Sequence, residues 1–231
     1  MRQTLLILWS FCAFAQTGIE VPTVGVIVGP SGSLWPVEGV AGNFWLGAAT
    51  ASGVLSASCS EQICLAKTDS KILSATGQAD APSGPAIFWV DRDDAIVFFP
   101  EAGAFARWHD DTLDPLDWMV EGEVLSIRAS HIAVRRNENV WIIRPDGAVA
   151  DWVAETSGPV LLLADGILFA TPDEIILRRR DASEVRFALT GTETITAMGL
   201  HYAAIRTGNS TYAFRIDSGR EQLFLLPGNA P

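Results

Sequence analysis

Cysteine, histidine and helical periodicity are all scarce in this sequence, and each shortage excludes a class of protein. The 231 residues include three cysteines and three histidines. Neither H-x-H nor H-E-x-x-H occurs, and no second Cys or His pair accompanies Cys59 and Cys64, so we expect no metal site. The nucleophile-elbow motif G-x-S-x-G is missing as well. Because no segment of about 11 residues carries a helical stripe of apolar side chains, the pattern excludes a helical protein.

Basic residues are also few relative to acidic ones. The chain has 16 Lys and Arg against 27 Asp and Glu, for a formal net charge of −11. Binding to a phosphate backbone needs a basic patch, so we expect no nucleic-acid partner. Carboxylates cluster at residues 91–94 and again between residues 110 and 117. Neither cluster has the spacing of a calcium loop, and solvated turns are the simpler interpretation. No glycine-rich phosphate loop precedes a helix, and we expect no cofactor.

The one long apolar run lies at the N-terminus and has the pattern of a cleavable export signal. Arg2 supplies a positive charge, residues 5–14 are apolar, and Ala13-Phe14-Ala15 resembles a cleavage site. The run is shorter than the roughly 20 residues that a membrane span needs. We expect cleavage after Ala15, a mature single domain of residues 16–231 without a transmembrane segment, and a secreted or periplasmic location. A buried first strand is the alternative.

Two cysteines remain after that cleavage, Cys59 and Cys64. In an oxidising compartment an isolated pair is expected to form one disulfide. The four intervening residues suit a turn that would place the two cysteines opposite each other across a hairpin. We therefore predict a Cys59–Cys64 disulfide, with two free thiols as the alternative.

Two similar stretches, residues 123–155 and 159–191, show how the chain is built. Each contains four short β-rich segments separated by turns rich in Gly, Asn, Asp and Pro, and the second starts 36 residues after the first (159 against 123). A third copy begins near Thr196. A four-strand unit at this spacing is typical of a propeller blade.

The same pattern predicts an all-β, propeller-like chain of five four-stranded units and an N-terminal hairpin. The units cover residues 43–77, 85–121, 123–155, 159–191 and 194–228, and the hairpin strands are residues 24–28 and 33–37. We align the hairpin with the third and fourth strands of a unit, and we expect it to be a two-stranded sixth blade. A five-bladed ring with an added hairpin, a sandwich and an open array are the alternatives.

Three details of this assignment depend on the turn residues. Residues 44–48 are predicted to be the first strand of the first unit. Residues 78–84, rich in Pro, Gly, Ser and Ala, are predicted to be a connector between blades. Residues 109–115 are predicted to be a long acidic turn.

This repeat resembles exported bacterial β-propeller-like repeat proteins, and its architecture is similar to that of WD40-like and YVTN-like propellers. The resemblance covers about residues 24–228 and rests on period and strand pattern. The Trp-Asp dipeptide of WD40 repeats is reversed here, in Asp117-Trp118 and Asp151-Trp152. No functional residue is therefore carried over from that family.

Aromatic side chains and one acidic turn supply the candidate binding residues. Tryptophan is frequent at interaction hot spots, and aromatic rings form platforms for sugars and peptides. The candidate ligand-binding residues are Trp45, Trp89, His109, Asp110 and Asp111. Packing of the tryptophans between blades is the alternative interpretation.

These observations favour a non-enzymatic exported module that binds a protein or another extracellular ligand, such as a glycan, through loops on one face. No constellation of catalytic groups is recognisable, so no catalytic residue is assigned. One alternative is a carbohydrate-active hydrolase or lyase, which would need two carboxyl groups facing each other across a cleft. A structural or adhesion component of the cell surface is the other.

Overall fold

The structure, a computed structural model, describes residues 21–153, 156–208 and 210–228, and every regular element in these ranges is a β-strand. The predicted signal peptide and its cleavage site lie outside the described residues. The strands form six antiparallel sheets, each made of strands consecutive in the chain. We call the sheets blades 1 to 6, and the prediction of an all-β propeller with six radial elements is confirmed.

The blades have the following strands. Blade 1 contains β1 (Thr23–Val28), β2 (Leu34–Val40) and β3 (Asn43–Leu46). Blade 2 contains β4 (Ser56–Cys59), β5 (Cys64–Lys67), β6 (Lys71–Leu73) and β7 (Gln78–Asp80). Blade 3 contains β8 (Ile87–Asp91), β9 (Asp94–Phe99), β10 (Ala104–His109) and β11 (Thr112–Leu116). Blade 4 contains β12 (Glu123–Arg128), β13 (His131–Arg136), β14 (Asn139–Ile143) and β15 (Val149–Val153). Blade 5 contains β16 (Val160–Leu162), β17 (Gly166–Ala170), β18 (Glu174–Arg179) and β19 (Glu184–Ala188). Blade 6 contains β20 (Thr192–Ala197), β21 (Tyr202–Thr207), β22 (Ser210–Arg215) and β23 (Gln222–Leu225).

Apolar side chains fill the spaces between neighbouring blades. Six buried clusters occur in the described residues, one for each pair of adjacent blades around the ring. Between blades 2 and 3, for example, Leu65 and Ile72 meet Phe99 and Trp108. Strands such as β9 are buried on both faces, because each blade lies between two others. The core is therefore a ring of sheet-to-sheet interfaces.

The predicted acidic turn at residues 109–115 is wrong, because the chain reverses there within two residues. His109 pairs with Thr112, and Asp110 and Asp111 have φ values of 48° and 57°. A two-residue hairpin turn with positive φ at both positions is compatible with strand twist, and aspartate tolerates that conformation. The residues after the turn form β11, where Pro115 occupies an outer edge strand that needs no ladder N–H at that position.

The N-terminal sheet has three strands, where the sequence predicted a hairpin. Residues 44–48 were assigned to the next unit, but Leu46 pairs with Val37, and β3 is the outer strand of blade 1. The predicted connector at residues 78–84 likewise begins with β7, which pairs with β6. Both errors concern short outer strands: β7 is too polar to be predicted as a strand, and β3, although apolar, carries no signal of the blade to which it belongs.

Strand β1 closes the ring between blades 6 and 2, and it runs against the direction of its neighbours. The N–H of Val26 donates to the carbonyl of Met198, 3.0 Å away, just after β20 ends. The N–H of Val54 donates to the carbonyl of Gly32, 2.8 Å away, just before β4 begins. The start of β1 thus lies beside the end of β20, and its end lies beside the start of β4. By order and direction, blade 1 corresponds to the second, third and fourth strands of the other blades, which corrects the predicted alignment with the third and fourth.

Two glycines permit this closure. A Cβ atom on Gly25 would lie 1.4 Å from the carbonyl oxygen of Met198, and one on Gly199 would lie 2.3 Å from that of Val24. No side chain fits at either distance, so blades 1 and 6 approach each other more closely than any residue other than glycine would allow at these two positions.

Candidate functional site

Two chambers lie one above the other along the axis of the ring. The first strands of blades 2 to 6 begin at the lower chamber, of about 600 Å³, and end at the upper chamber, of about 640 Å³. We call the corresponding sides of the ring the lower and upper faces. Four residues line both chambers and form the waist between them: Ser58, Phe88, Leu161 and Ala197. The loops that follow the first and third strands of blades 2 to 6 therefore lie on the upper face, and those that follow the first strands surround the upper chamber.

The lower chamber is lined largely by small side chains, and its hydroxyl groups join neighbouring blades. Ser56 Oγ accepts a hydrogen bond from the N–H of Ala86 at 2.9 Å, and Ser126 Oγ accepts one from the N–H of Leu162 at 3.0 Å. Ser126 is buried, and its bond satisfies a backbone group that the sheet ladder leaves free. These hydroxyl groups have a structural role.

Two of the carboxylates that line the upper chamber already have cationic partners. Asp165 forms an ion pair with Arg179. Asp217 accepts hydrogen bonds from Arg215 Nε at 2.7 Å and pairs with His201 Nδ1 at 2.7 Å. Burial acts to raise the pKa of Asp217, but the bonds from Arg215 and His201 outweigh it and hold that pKa below its usual range. Asp217 is therefore an ionised structural group at the rim.

Arg128 differs from these carboxylates, because its charge has no direct partner among the described residues. It is the last residue of β12, lines the upper chamber and is half-buried. Within the described part of the chain, its guanidinium makes no hydrogen bond or ion pair. Burial lowers the pKa of Arg128. The negative charges of Asp91 and Asp165 oppose this effect, and the positive charge of Arg180 reinforces it. A desolvated arginine that faces a cavity without a partner is a binding group for an anion.

The predicted disulfide lies at the rim of the upper chamber and is confirmed. Cys59 and Cys64 are bonded across the β4–β5 hairpin, with their Cα atoms 4.1 Å apart. Ser60 Oγ, in the turn between them, donates to the carbonyl of Arg92 at 2.6 Å. The disulfide closes the hairpin of blade 2, and this hydrogen bond joins its rim to that of blade 3.

The structure separates the two candidate tryptophans. Trp89 lies in β8, lines the upper chamber and is half-buried between blades 3 and 4. Trp45 lies in β3 on the outer edge of blade 1, is 38% exposed, and donates from Nε1 to Glu38 Oε2 at 2.8 Å. Only Trp89 is therefore placed to contact a ligand in the chamber, and the binding role of both remains a prediction.

His109, Asp110 and Asp111 lie on the upper face but away from the chamber. His109 Nε2 is 3.2 Å from Asp110 Oδ2. Asp111 Oδ1 accepts hydrogen bonds from Ser74 Oγ at 2.7 Å and Thr76 Oγ1 at 3.1 Å, which join the outer turns of blades 2 and 3. Asp111 thus has a structural role in addition to any binding role, which remains a prediction.

Sequence reasoning missed Arg128 and the His201–Asp217 pair. One signal was available: Arg128 and Asp91 each end the first strand of a blade, and first strands end beside the axis of a propeller. Arg128 was not proposed from the sequence, because the chamber that it lines is formed by loops of several blades and is visible only in the folded ring.

A metal-binding cluster and a membrane-spanning helix are both absent from the described residues. No group of three or more His, Cys, Asp or Glu side chains is arranged to hold a metal ion. No helix there has the length and apolar character needed to cross a membrane.

Comparison with solved structures agrees with the propeller architecture. PorZ of Porphyromonas gingivalis, an essential bacterial surface component of the type-IX secretion system, matches 89% of this chain with a TM-score of 0.52 and 12% identity. The match covers 31% of PorZ, so this chain spans about a third of that protein's length. The WD40 domain of Neurospora crassa Pan2 matches 90% of this chain and 80% of its own length, with a TM-score of 0.50 and 8% identity. At these identities the likeness shows the fold alone, and it confirms the architectural resemblance to WD40-like propellers. No protein-family model and no curated protein matches the sequence.

Proposed function

We propose that this chain is an exported binding module that engages a protein of the cell envelope through its upper face. The observation that carries the proposal is the upper chamber, which opens among loops with charges of both signs and an apolar rim residue, Leu200, that is 63% exposed. An interface of this kind combines a desolvated centre with a polar rim.

Export is supported by two independent features. The N-terminal sequence has the order of charge, apolar run and small-residue cleavage site that a secretory signal requires. The Cys59–Cys64 disulfide is stable in an oxidising compartment and rare in a reducing one. PorZ, a bacterial surface component, provides a precedent for a similar fold at that location.

A pull-down from an envelope fraction tests the proposal when it includes two matched variants. Leu200 lies on the upper rim, and Leu225 lies on the outer strand of blade 6; the two are 63% and 64% exposed. We expect the mature chain and Leu225→Glu to recover the same partner, and Leu200→Glu to lose it. Equal recovery by both variants, or no recovery by the mature chain, would contradict binding through the upper face.

A carbohydrate-active enzyme is the second candidate, because Asp91, Asp165 and Asp217 all line the upper chamber. A glycosidase needs one carboxyl group that stays protonated until it donates to the leaving group. Two of the three carboxylates are paired with arginine, and the pKa of Asp217 is lowered. These pairs favour binding over hydrolysis. Release of reducing sugar from a glycan panel, abolished in Asp91→Asn, would instead support the enzyme.

A further inference from the structure

The upper chamber combines apolar walls with a cation, Arg128, that has no partner in the part of the chain that the structure describes. Phe88 and Leu161 form its floor at the waist, and Arg128 lies on its wall at the end of β12. Its volume of about 640 Å³ falls within the range of roughly 300–1,000 Å³ that small-molecule sites occupy. The chamber is thus large enough for a small ligand or the end of a peptide.

The charges around the chamber indicate where an anion would bind. Asp165 and Asp217 are neutralised by Arg179 and by Arg215, and neither needs a ligand cation. Arg128 has no such partner within the described ranges. Arginine presents a planar fork of donors that matches a carboxylate, and such bonds are strongest where water is excluded.

We infer that the upper chamber binds a carboxylate attached to an apolar group, with Arg128 as the cationic receptor and the waist residues in contact with the apolar group. The carboxylate belongs either to a small organic acid or to the C-terminus of a peptide, and the chemistry of recognition is the same for both. The inference uses the same face as the proposed function and deepens it by naming the group recognised.

Asp91 is the carboxylate that acts most strongly on the charge of Arg128, and it would compete with such a ligand. It ends β8 on the neighbouring blade, lines the same chamber and acts on the charge of Arg128 through space. No hydrogen bond joins Asp91 to Arg128 within the described residues. Removing the charge of Asp91 should therefore strengthen the binding of an anion.

Calorimetric titration of the purified mature chain tests the inference without any envelope partner. The probes are a leucine-rich tripeptide as the free acid, the same tripeptide as the C-terminal amide, and hexanoate. We expect the free acid to bind and the amide to bind at least about ten-fold more weakly, because the amide loses the charge-assisted bonds. Tighter binding of the tripeptide acid than of hexanoate identifies a peptide C-terminus as the natural source, and the reverse order identifies a small organic acid.

Variants assign the effect to Arg128. Arg128→Gln should weaken binding of the free acid at least about ten-fold, and Arg128→Lys should weaken it less, since lysine keeps the charge but not the fork. Arg144→Gln is the matched control, because Arg144 is an exposed arginine in an outer turn of the same blade on the same face. Asp91→Asn should bind the acid more tightly, and thermal unfolding checks that each variant is folded.

The outcomes separate this inference from the proposed function. No binding of either acid up to roughly 10 mM, equal binding of acid and amide, or equal binding by Arg128→Gln would overturn the carboxylate site. Weaker binding of the acid by Asp91→Asn would also overturn the carboxylate site, because Asp91 would then support ligand binding instead of competing with the ligand. If the envelope pull-down still depends on Leu200 in any of these cases, the upper face binds a partner by other contacts.

Discussion

Lys67, whose side chain is fully buried, shows how a single residue stabilises a turn of this ring. Its Nζ donates to the carbonyls of Thr68 at 2.6 Å and Asp69 at 2.8 Å in the β5–β6 turn. Burial lowers the pKa of Lys67, while the nearby carboxylates of Asp69 and Glu101 oppose that effect. The buried ammonium group thus satisfies its own donors with two carbonyl groups of a partly exposed turn.

Replacing this amine should destabilise the fold. Lys67→Met removes two hydrogen bonds to the carbonyl groups of Thr68 and Asp69, and we expect the free energy of unfolding to fall by about 1–3 kcal/mol. Lys71→Met, in the next strand, is the control and should change it by less than about 0.5 kcal/mol. Urea unfolding of both variants measures the difference, and equal stability of the two would contradict the role of Lys67.

Glu184 gives the fold a defined dependence on pH. It accepts hydrogen bonds from Arg186 at 2.7 Å and Arg178 at 2.8 Å, and these bonds hold the pKa of Glu184 below its usual range. A carboxyl whose pKa is lower in the folded state stabilises above its unfolded pKa of about 4.3, and the contribution disappears as pH falls through the folded value. Glu184→Gln should therefore cost about 0.5–1 kcal/mol at pH 7 and progressively less below about pH 4. A stability gap that stays constant or widens in acid would contradict this assignment.

Among the elements, the hairpins of blades 3 to 6 were the most predictable. Their strands alternate with tight turns, and the inner strands are buried on both faces, so apolar runs and turn residues together define them. The outer strands β7 and β11 were misassigned, because these strands are short, exposed and partly polar. Strand β3 was predicted as a strand but placed in the wrong blade, because its apolar residues do not indicate the neighbour with which they pair. The hairpin of blade 1 has the same alternation of strand and turn residues as the hairpins of the other blades. The sequence therefore does not show whether its first strand corresponds to the second or to the third strand of a blade.

The Cys59–Cys64 disulfide closes the β4–β5 hairpin, and its contribution to stability can be measured. Closing a loop this short stabilises by about 2 kcal/mol in the chain-entropy account. We expect the double variant Cys59→Ser/Cys64→Ser to unfold at a lower urea concentration, and reduction of the mature chain to have a similar effect. Unchanged stability in both cases would show that the Ser60–Arg92 bond and the sheet ladder hold this rim without the disulfide.

In the whole molecule, the chambers exist only because the ring closes. Residue type alone was enough to propose Trp89, and sequence spacing predicts which loops share a face. It does not predict that Arg128 and Asp91, on different blades, line one chamber, because that depends on packing between sheets. Closure itself depends on blade 1, which packs against blades 6 and 2 without exchanging strands with them in the described part of the chain.

Hydrogen exchange at the amide of Val26 tests this closure most directly, because that N–H bonds across the junction to Met198. We predict protection comparable to that of the sheet amides in β12 and β16, since only a subglobal opening of the ring would expose it. Gly25→Ala should abolish the protection, because its Cβ would overlap the carbonyl oxygen of Met198, whereas Gly228→Ala, with no atom near its Cβ, should leave it intact. Exchange at Val26 in the unmodified chain as fast as in an exposed loop would contradict a closed six-bladed ring.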